Sequence, residues 1–529
     1  MLSLLATSFQ DAIPAIQGSL PFIAPELVII LAACALLILD LFMDEENSHW
    51  LAWPAVGSLI VALWLGHEGW ENLSSNAAVN PGRPLFLGML AADSFGAFFR
   101  QLFLFGTLVT VVLAYHTRAF QRIRMGEFYA LLFSSVAGMS MMAMATDFLM
   151  VFIGIELVSI PSYVLTGYLY QNRKATEASL KYLLYGAFSS GLMLFGVSII
   201  YGLTGTTKLS GIATLLSSGN AEHTMLLMVT SMLVFAGYAY KLAAAPFHFW
   251  APDVYEGAPT PITAWLSVAS KAAGIAAFVR FLLAFAGTDM HFGSFDWSVG
   301  LAVIAAITMT VGNVSALLQT NVKRILAYSS VAHVGYLLMG LTAVGATVST
   351  VTTGDGQATV LQLGQGGASA AVFYAFVYLW MNLGAFAVVI AVADRLGGDD
   401  VSHFRGLGRR APSLAIPMVV YLFALIGLPP TAGFTGKLQL FMSVINSGGT
   451  TLAIIAGVNT AISVYFYFKI IRAMYLDGFM DPANKEPLPL PLGLSLLCMF
   501  LTVPVLYLGL FFNGLGEATQ GLTVFLKAL

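Results

Sequence analysis

The 529-residue chain has little charge. Its 23 Lys+Arg and 26 Asp+Glu make up 9% of the residues, where a soluble domain carries about 25%. So few charged groups cannot cover a soluble protein of this length, which excludes a soluble enzyme. An apolar content of 58% excludes a disordered chain. The formal net charge of −3 offers no basic excess for phosphates, so a nucleic-acid binder is excluded too. Only two cysteines are present, Cys34 and Cys498, in apolar runs far apart. They cannot form a disulfide scaffold, and no Cys cluster exists for zinc or an iron–sulfur centre. There is no Walker A sequence, no glycine-rich dinucleotide loop after a strand and no haem-type His pairing. The chain thus brings neither an ATPase engine nor a redox centre. Any pumping it does draws energy from a partner chain or from another ion's gradient. What is present is glycine (51 residues) and long apolar sequence, with a mean hydropathy of +0.84. These features describe a polytopic membrane protein.

A spanning helix needs about 20 mostly apolar residues, and about 14 such runs can be read. They fall near 21–43, 51–66, 96–115, 127–145, 148–170, 178–203 and 225–250, then near 260–285, 297–319, 325–345, 368–393, 413–442, 451–475 and 490–513. The runs are too long for a β-barrel and do not alternate with period two. The expected fold is all-α, a single integral membrane domain over 1–529. Within it 1–126 holds three N-terminal helices, 127–285 and 297–475 hold five helices each, and 490–513 is the last helix. No basic stretch precedes the first apolar run, so no cleavable signal peptide is expected. Loops after odd-numbered spans hold 13 basic residues: Arg118, Arg122, Arg124, Arg173, Lys174, Lys323, Arg324, Arg395, Arg405, Arg409, Arg410, Arg472 and Lys485. The opposite side holds 3: Arg83, Lys208 and Lys527. The first set is expected in the cytoplasm, with both termini outside.

Ionisable residues within spans are the informative ones, because a charge at mid-bilayer costs at least about 2.5–3.5 kcal/mol. Four stand out. Glu156 lies mid-span in FIGIELVSIPSYVLTGY, and Lys241 lies in GYAYKLAAAPFHFWAPDVYEGAPTPI. Lys271 lies in WLSVASKAAGIAAF, about 11 residues or 16 Å into its span. Lys437 follows the interruption in LFALIGLPPTAGFTGKLQLF. A lysine withdrawn from water holds its proton less firmly, and a nearby carboxylate restores that hold. A Glu156–Lys241 pair of variable spacing is therefore an expected proton switch, set against the blander reading of a structural ion pair. Secondary candidates are Lys181, His248 and His333; Lys181 is close enough to a loop to snorkel, and either His is compatible with plain packing. Arg280, Lys469 and Arg472 are expected to snorkel from span ends, and Glu26 and Asp40 to be interfacial. Pro246 and Pro252 are expected to break span seven, and Gly427-Leu428-Pro429-Pro430 to break span twelve. The two breaks lie five spans apart, so the broken helices cross in opposite directions. That is the pattern of two inverted five-helix repeats, spans 4–8 and 9–13. The mirror is imperfect, because Lys241 precedes its break and Lys437 follows its own.

At these residues the chain resembles the antiporter-like membrane subunits of respiratory complex I, the NADH:quinone oxidoreductase, and among them the subunit N branch. The segment AAAPFHFWAPDVYEGAPTPITAWLSVASKAAG carries the resemblance most specifically, supported by GLPPTAGFTGK and KRILAYSSVAHVGYLL. Subunits L and M usually have a His-containing segment in place of SVASKAAG, subunit M has Glu in place of Lys437, and subunit L ends in a long lateral helix. Here about 16 residues follow the last span, and each difference favours the N branch. The 346–367 loop is extended relative to the family.

The resemblance implies that Glu156 and Lys241 form a coupled pair, that Lys271 connects it onward, and that Lys437 passes the proton outward. Lys181, His248 and His333 match further polar positions on the central axis. It implies no cofactor in this chain, with NADH, FMN, iron–sulfur clusters and quinone in partner subunits, and subunits M and K as neighbours. It places the chain in the bacterial inner membrane with both termini periplasmic. Competing readings are a subunit of a multisubunit cation/proton antiporter, a free-standing secondary transporter, and a scaffold whose retained charges are inactive.

Overall fold

A computed structural model describes residues 13–75, 82–121, 123–217, 224–285, 291–292, 295–345, 349–352, 358–361, 363–477 and 486–524. Arg122, Lys485, Lys527 and parts of the 346–367 loop lie outside the described residues. The described chain is almost wholly helical, and 13 helices are long and apolar enough to cross a membrane. In order these elements are α1 (Ile13–Leu41), α2 (Ser48–Glu71), α3 (Ser94–His116), α4 (Gly126–Met144), α5 (Phe148–Thr166) and α6 (Arg173–Thr204). The short α7 (Leu209–Ser217) follows. Next come α8 (Thr224–Leu242) and α9 (Trp250–Gly257), two parts of one interrupted path. After them come α10 (Thr260–Leu283), α11 (Trp297–Leu317), α12 (Val322–Leu341) and α13 (Gly366–Leu396). The apolar run at 413–442 is divided into α14 (Pro412–Ile426) and α15 (Ala432–Asn446). The chain ends in α16 (Thr450–Tyr475), α17 (Leu492–Leu510) and α18 (Asn513–Val524).

Helix starts are marked by side chains that supply the missing acceptor of the first turn. Asp93 accepts from Gly96 N at 2.7 Å, Asp147 from Leu149 N at 2.8 Å, Asp296 from Ser298 N at 2.7 Å and Asn321 from Arg324 N at 3.1 Å. Two helix pairs pack backbone to backbone through glycine. A Cβ on Gly138 of α4 would stand 3.1 Å from the Gly154 carbonyl of α5, and one on Gly312 of α11 would stand 2.6 Å from the Ala332 nitrogen of α12. Small residues at these crossings let helices approach where lipid provides no hydrophobic drive.

Burial is uneven. The most apolar stretch of α10 is wholly buried, and those of α12 and α13 are nearly so. Outer helices expose Leu31, Ile60, Leu184, Val303, Ile454 and Val503, the inverse of a soluble surface and suited to lipid contact. Buried polar side chains lie on α10, α12 and α13, among them Lys271, Ser330, His333 and Asn382, and on helices packed around them, among them Ser159, Lys241 and Lys437.

Candidate functional site

The four principal charges stand on four helices: Glu156 on α5, Lys241 in the last turn of α8, Lys271 on α10 and Lys437 on α15. The lysines are only 2%, 3% and 5% exposed, respectively. The Glu156 Oε1 is buried with no hydrogen-bond partner among the described residues. The expected Glu156–Lys241 pair is not in contact. The Lys241 ammonium donates instead to Ser159 Oγ at 3.2 Å, one turn along α5 from Glu156, and the carboxylate acts on it through space.

Between Lys241 and Lys271 the helices nearly touch. Gly274, one turn past Lys271, faces α8; a Cβ there would stand 3.3 Å from Lys241 Cγ and 2.9 Å from Leu242 Cδ2. The turn before Lys271, Leu266–Ser270, widens to π-helical geometry. Such turns leave backbone groups less tightly paired and recur at functional sites. Here Ser267 Oγ donates back to the Ala264 carbonyl and accepts from Asn382 Nδ2 of α13, both at 2.7 Å. Lys271 Nζ donates to Ser330 Oγ at 2.6 Å and lies 5.6 Å from the Tyr255 ring centroid. Lys271, Ser330, His333 and Tyr378 line a cavity of about 10 Å³, room for about one water.

His333 lies one turn beyond Ser330, within electrostatic reach of both Lys271 and Lys437. Its Nδ1 is 2.6 Å from Tyr374 Oη and its Nε2 is 3.2 Å from Tyr467 Oη, which also bonds Ser329. A neutral imidazole has one N–H and one lone pair, so one phenol donates to the ring while the other accepts from it. The direction of that chain reverses when the tautomer changes. Beyond it, the Lys437 ammonium lies 4.5 Å from the Tyr336 ring centroid. It donates to the Leu425 and Ile426 carbonyls at 3.0 and 2.9 Å. These are the last carbonyls of α14, freed because that helix stops.

The two breaks share an anatomy. Helix α8 ends with Ala243 at φ +60°, with Ala244 N donating to the Ala239 carbonyl and Ala243 N to the Tyr240 carbonyl. Helix α14 ends with Gly427 at φ +88°, with Leu428 N donating to the Phe423 carbonyl. Both are left-handed Schellman-type stops, and each is followed by proline, Pro246 in one and Pro429-Pro430 in the other. The sequence mismatch between Lys241 and Lys437 disappears in space. Lys241 belongs to the C-terminal turn of α8, and Lys437 reaches back across its break to the C-terminus of α14. Each lysine therefore stands at the negative end of a half-helix. Pro252, by contrast, breaks nothing. It sits in the first turn of α9, where an N–H has no helical partner to lose.

The secondary candidates are dispersed. Lys181 pairs with Asp253 and Glu177, both at 2.7 Å, in a partly exposed cluster where Arg324 also binds Asp253 and Glu256 at 2.8 and 2.9 Å. His248 is buried at the first break, beside the Pro246 backbone. Arg280 does not snorkel: it is bidentate to Asp93 at 2.8 and 3.0 Å and also donates to the Ala143 carbonyl. Glu26 is buried rather than interfacial, and accepts from Arg100 Nε at 2.7 Å. Asp40 is likewise buried, bonded to Ser48. In each case the partner comes from another helix or a loop and cannot be read from local sequence. Ser159, Ser330, Tyr374 and Tyr467 were not singled out in the sequence. Serine and tyrosine are common enough in spans that only packing distinguishes these four.

The family described as "NADH:quinone oxidoreductase/Mrp antiporter, TM" matches residues 145–353 and 357–463. The chain belongs to this family. Both breaks, Lys241, Lys271, Lys437 and His333 fall within the matched residues. Among similar relatives, the NADH-quinone oxidoreductase subunit N of Anaeromyxobacter sp. (strain Fw109-5) is 42% identical, over 94% of this chain and 95% of its own length. That of Trichlorobacter lovleyi is 39% identical, over 90% and 92%. A chain of respiratory complex I from Thermus thermophilus superposes with a TM-score of 0.72 at 28% identity, covering 93% of this chain and 98% of that one. A chain of the Mrp complex from Dietzia sp. shares the fold, with a TM-score of 0.75 at 22% identity over 95% and 97%. The antiporter-like fold thus accounts for nearly the whole chain.

Proposed function

We propose that this chain is the subunit N component of a bacterial NADH:quinone oxidoreductase and that it translocates protons. The observation that carries the reading is the row of buried proton-binding groups running from Glu156 through Lys241, Lys271 and His333 to Lys437. It stands in a chain similar over nearly its full length to subunits of that name. Glu156 biases the proton held by Lys241, Lys241 hands it to Lys271, and the Ser330–His333–tyrosine chain leads to Lys437, which releases it outward. Lys181 belongs to the cytoplasmic mouth through its pair with Asp253, and His248 serves the first break. Pro246, Pro429 and Pro430 maintain the interrupted backbone that exposes helix-end carbonyls. The shared anatomy of the breaks and the glycine-packed α4–α5 and α11–α12 pairs support two inverted repeats, 127–285 and 297–475.

In this reading the chain is a non-redox subunit of an oxidoreductase. NADH, FMN, iron–sulfur clusters and quinone are held by partner subunits, and quinone reduction there supplies the energy. Subunits M and K are its neighbours in the inner membrane, and both termini are periplasmic. Purification in mild detergent should recover NADH-oxidising subunits with this chain. Replacing Lys241 or Lys437 with Ala should abolish most coupled proton pumping while the complex still assembles. Wild-type pumping in both variants, or a lone chain with transport activity, overturns the proposal.

A further inference from the structure

The end of the bundle where α1 begins carries a pocket of about 540 Å³ that the proton row does not use. It lies between α1, α2 and the hairpin preceding α3, in the size range of a small-ligand site. Its walls are apolar, formed by Phe22, Pro25, Leu65 and Leu73. Two arginines, Arg83 and Arg100, also line it. Arg100 is buried and spends Nε on Glu26 and Nη2 on the Phe22 carbonyl and Met144, which leaves Nη1. Glu26 balances that charge, so the excess positive charge of the pocket is that of Arg83. Arg83 is held over the Phe22 ring at 5.0 Å and pairs with no carboxylate among the described residues. On one side the described residues leave space: a Cβ on Gly69 would meet none of them within 4 Å. The neighbouring surface of α1 exposes Ile13, Ile16 and Leu20, so the opening is continuous with the lipid-facing side.

We infer that this pocket binds a phospholipid with a net anionic headgroup. Its phosphodiester would accept from Arg83 and from Arg100 Nη1, with an acyl chain laid along Leu65, Gly69 and Leu73. A free anion would satisfy the guanidinium groups but leave the apolar walls in water, and a plain hydrocarbon would leave Arg83 unpaired. Only an amphiphile matches both.

The test uses the complex containing the full chain, delipidated and then titrated with phosphatidylglycerol, phosphatidylcholine or inorganic phosphate. Retained lipid is read by native mass spectrometry and thermal stability by unfolding in detergent. Phosphatidylglycerol should be retained about fivefold more tightly by the wild type than by Arg83→Gln, as expected for one lost partly exposed charge pair. It should also be lost in Gly69→Phe, which fills that space without touching a charge. Phosphatidylcholine should bind more weakly, and inorganic phosphate should produce no shift. Equal retention by all three proteins overturns the inference, as does an equal shift with phosphate, which would mark a free-anion site. Cross-linking of Arg83→Cys to a partner subunit in the lipid-depleted complex would assign the pocket to a protein interface instead.

Discussion

Ser330→Ala removes one oxygen and tests the link between the two halves of the row. Ser330 Oγ is the hydrogen-bond acceptor of the Lys271 ammonium, at 2.6 Å, and both side chains are buried. A hydrogen bond to a charged group contributes about 1.5–3 kcal/mol, so loss of this one raises the energy of the proton-loaded lysine by about that amount. At 1.36 kcal/mol per factor of ten, loading of Lys271 should fall by about tenfold to 150-fold. Ser330 is also the hydroxyl on the turn that leads to His333, so onward transfer is lost with it. The assay is the initial rate of proton translocation in proteoliposomes, set against NADH oxidation by the same complex when uncoupled. Translocation should fall by about tenfold or more with assembly intact. Ser330→Thr keeps Oγ, and translocation should stay near wild type. Undiminished translocation by the alanine variant would mean that Lys271 does not depend on this contact.

Other perturbations probe the frame around the row. Arg280→Met strands a buried Asp93 and should cost about 3–5 kcal/mol, read as lower thermal stability in detergent; adding Asp93→Asn should recover part of it. Gly433→Ala would place a Cβ 1.7 Å from the Ala424 carbonyl oxygen, forcing α14 and α15 apart and lowering assembly and translocation together. Asp253→Asn removes a partner from Lys181 and from Arg324 in a partly exposed cluster. Its effect on stability should stay within about 1 kcal/mol and shrink at high salt, as unfolding measured in low and high salt would reveal.

How much was legible in the sequence depended on how local each signal is. Charges inside apolar runs stand out because nothing nearby solvates them, so Glu156, Lys241, Lys271 and Lys437 could be named from the chain alone. The second break was legible because Gly427 and Pro429-Pro430 act on their own backbone. At the first, Pro246 marked the place, but Pro252 sits harmlessly in a first helical turn and the turning residue is Ala243. Pairing was not legible. Asp93 and Arg280 are 187 residues apart and Lys271 and Ser330 are 59 apart, and only helix packing brings them together. Counting from a span end made Arg280 look free to snorkel, although α10 is enclosed by other helices and leaves it no water to reach. The π-helical turn before Lys271 has no sequence mark; it becomes visible only where Asn382 of α13 engages Ser267.

The most direct test of the proton row is the number of protons moved per NADH oxidised by a complex carrying Lys271→Met. Methionine keeps most of the side-chain volume at a wholly buried position and removes only the proton site. The complex should assemble and proton translocation should fall by at least about tenfold, the consequence of losing an obligatory transfer group. A wild-type proton-to-electron ratio at a wild-type rate would contradict it, because protons would then be crossing without this lysine.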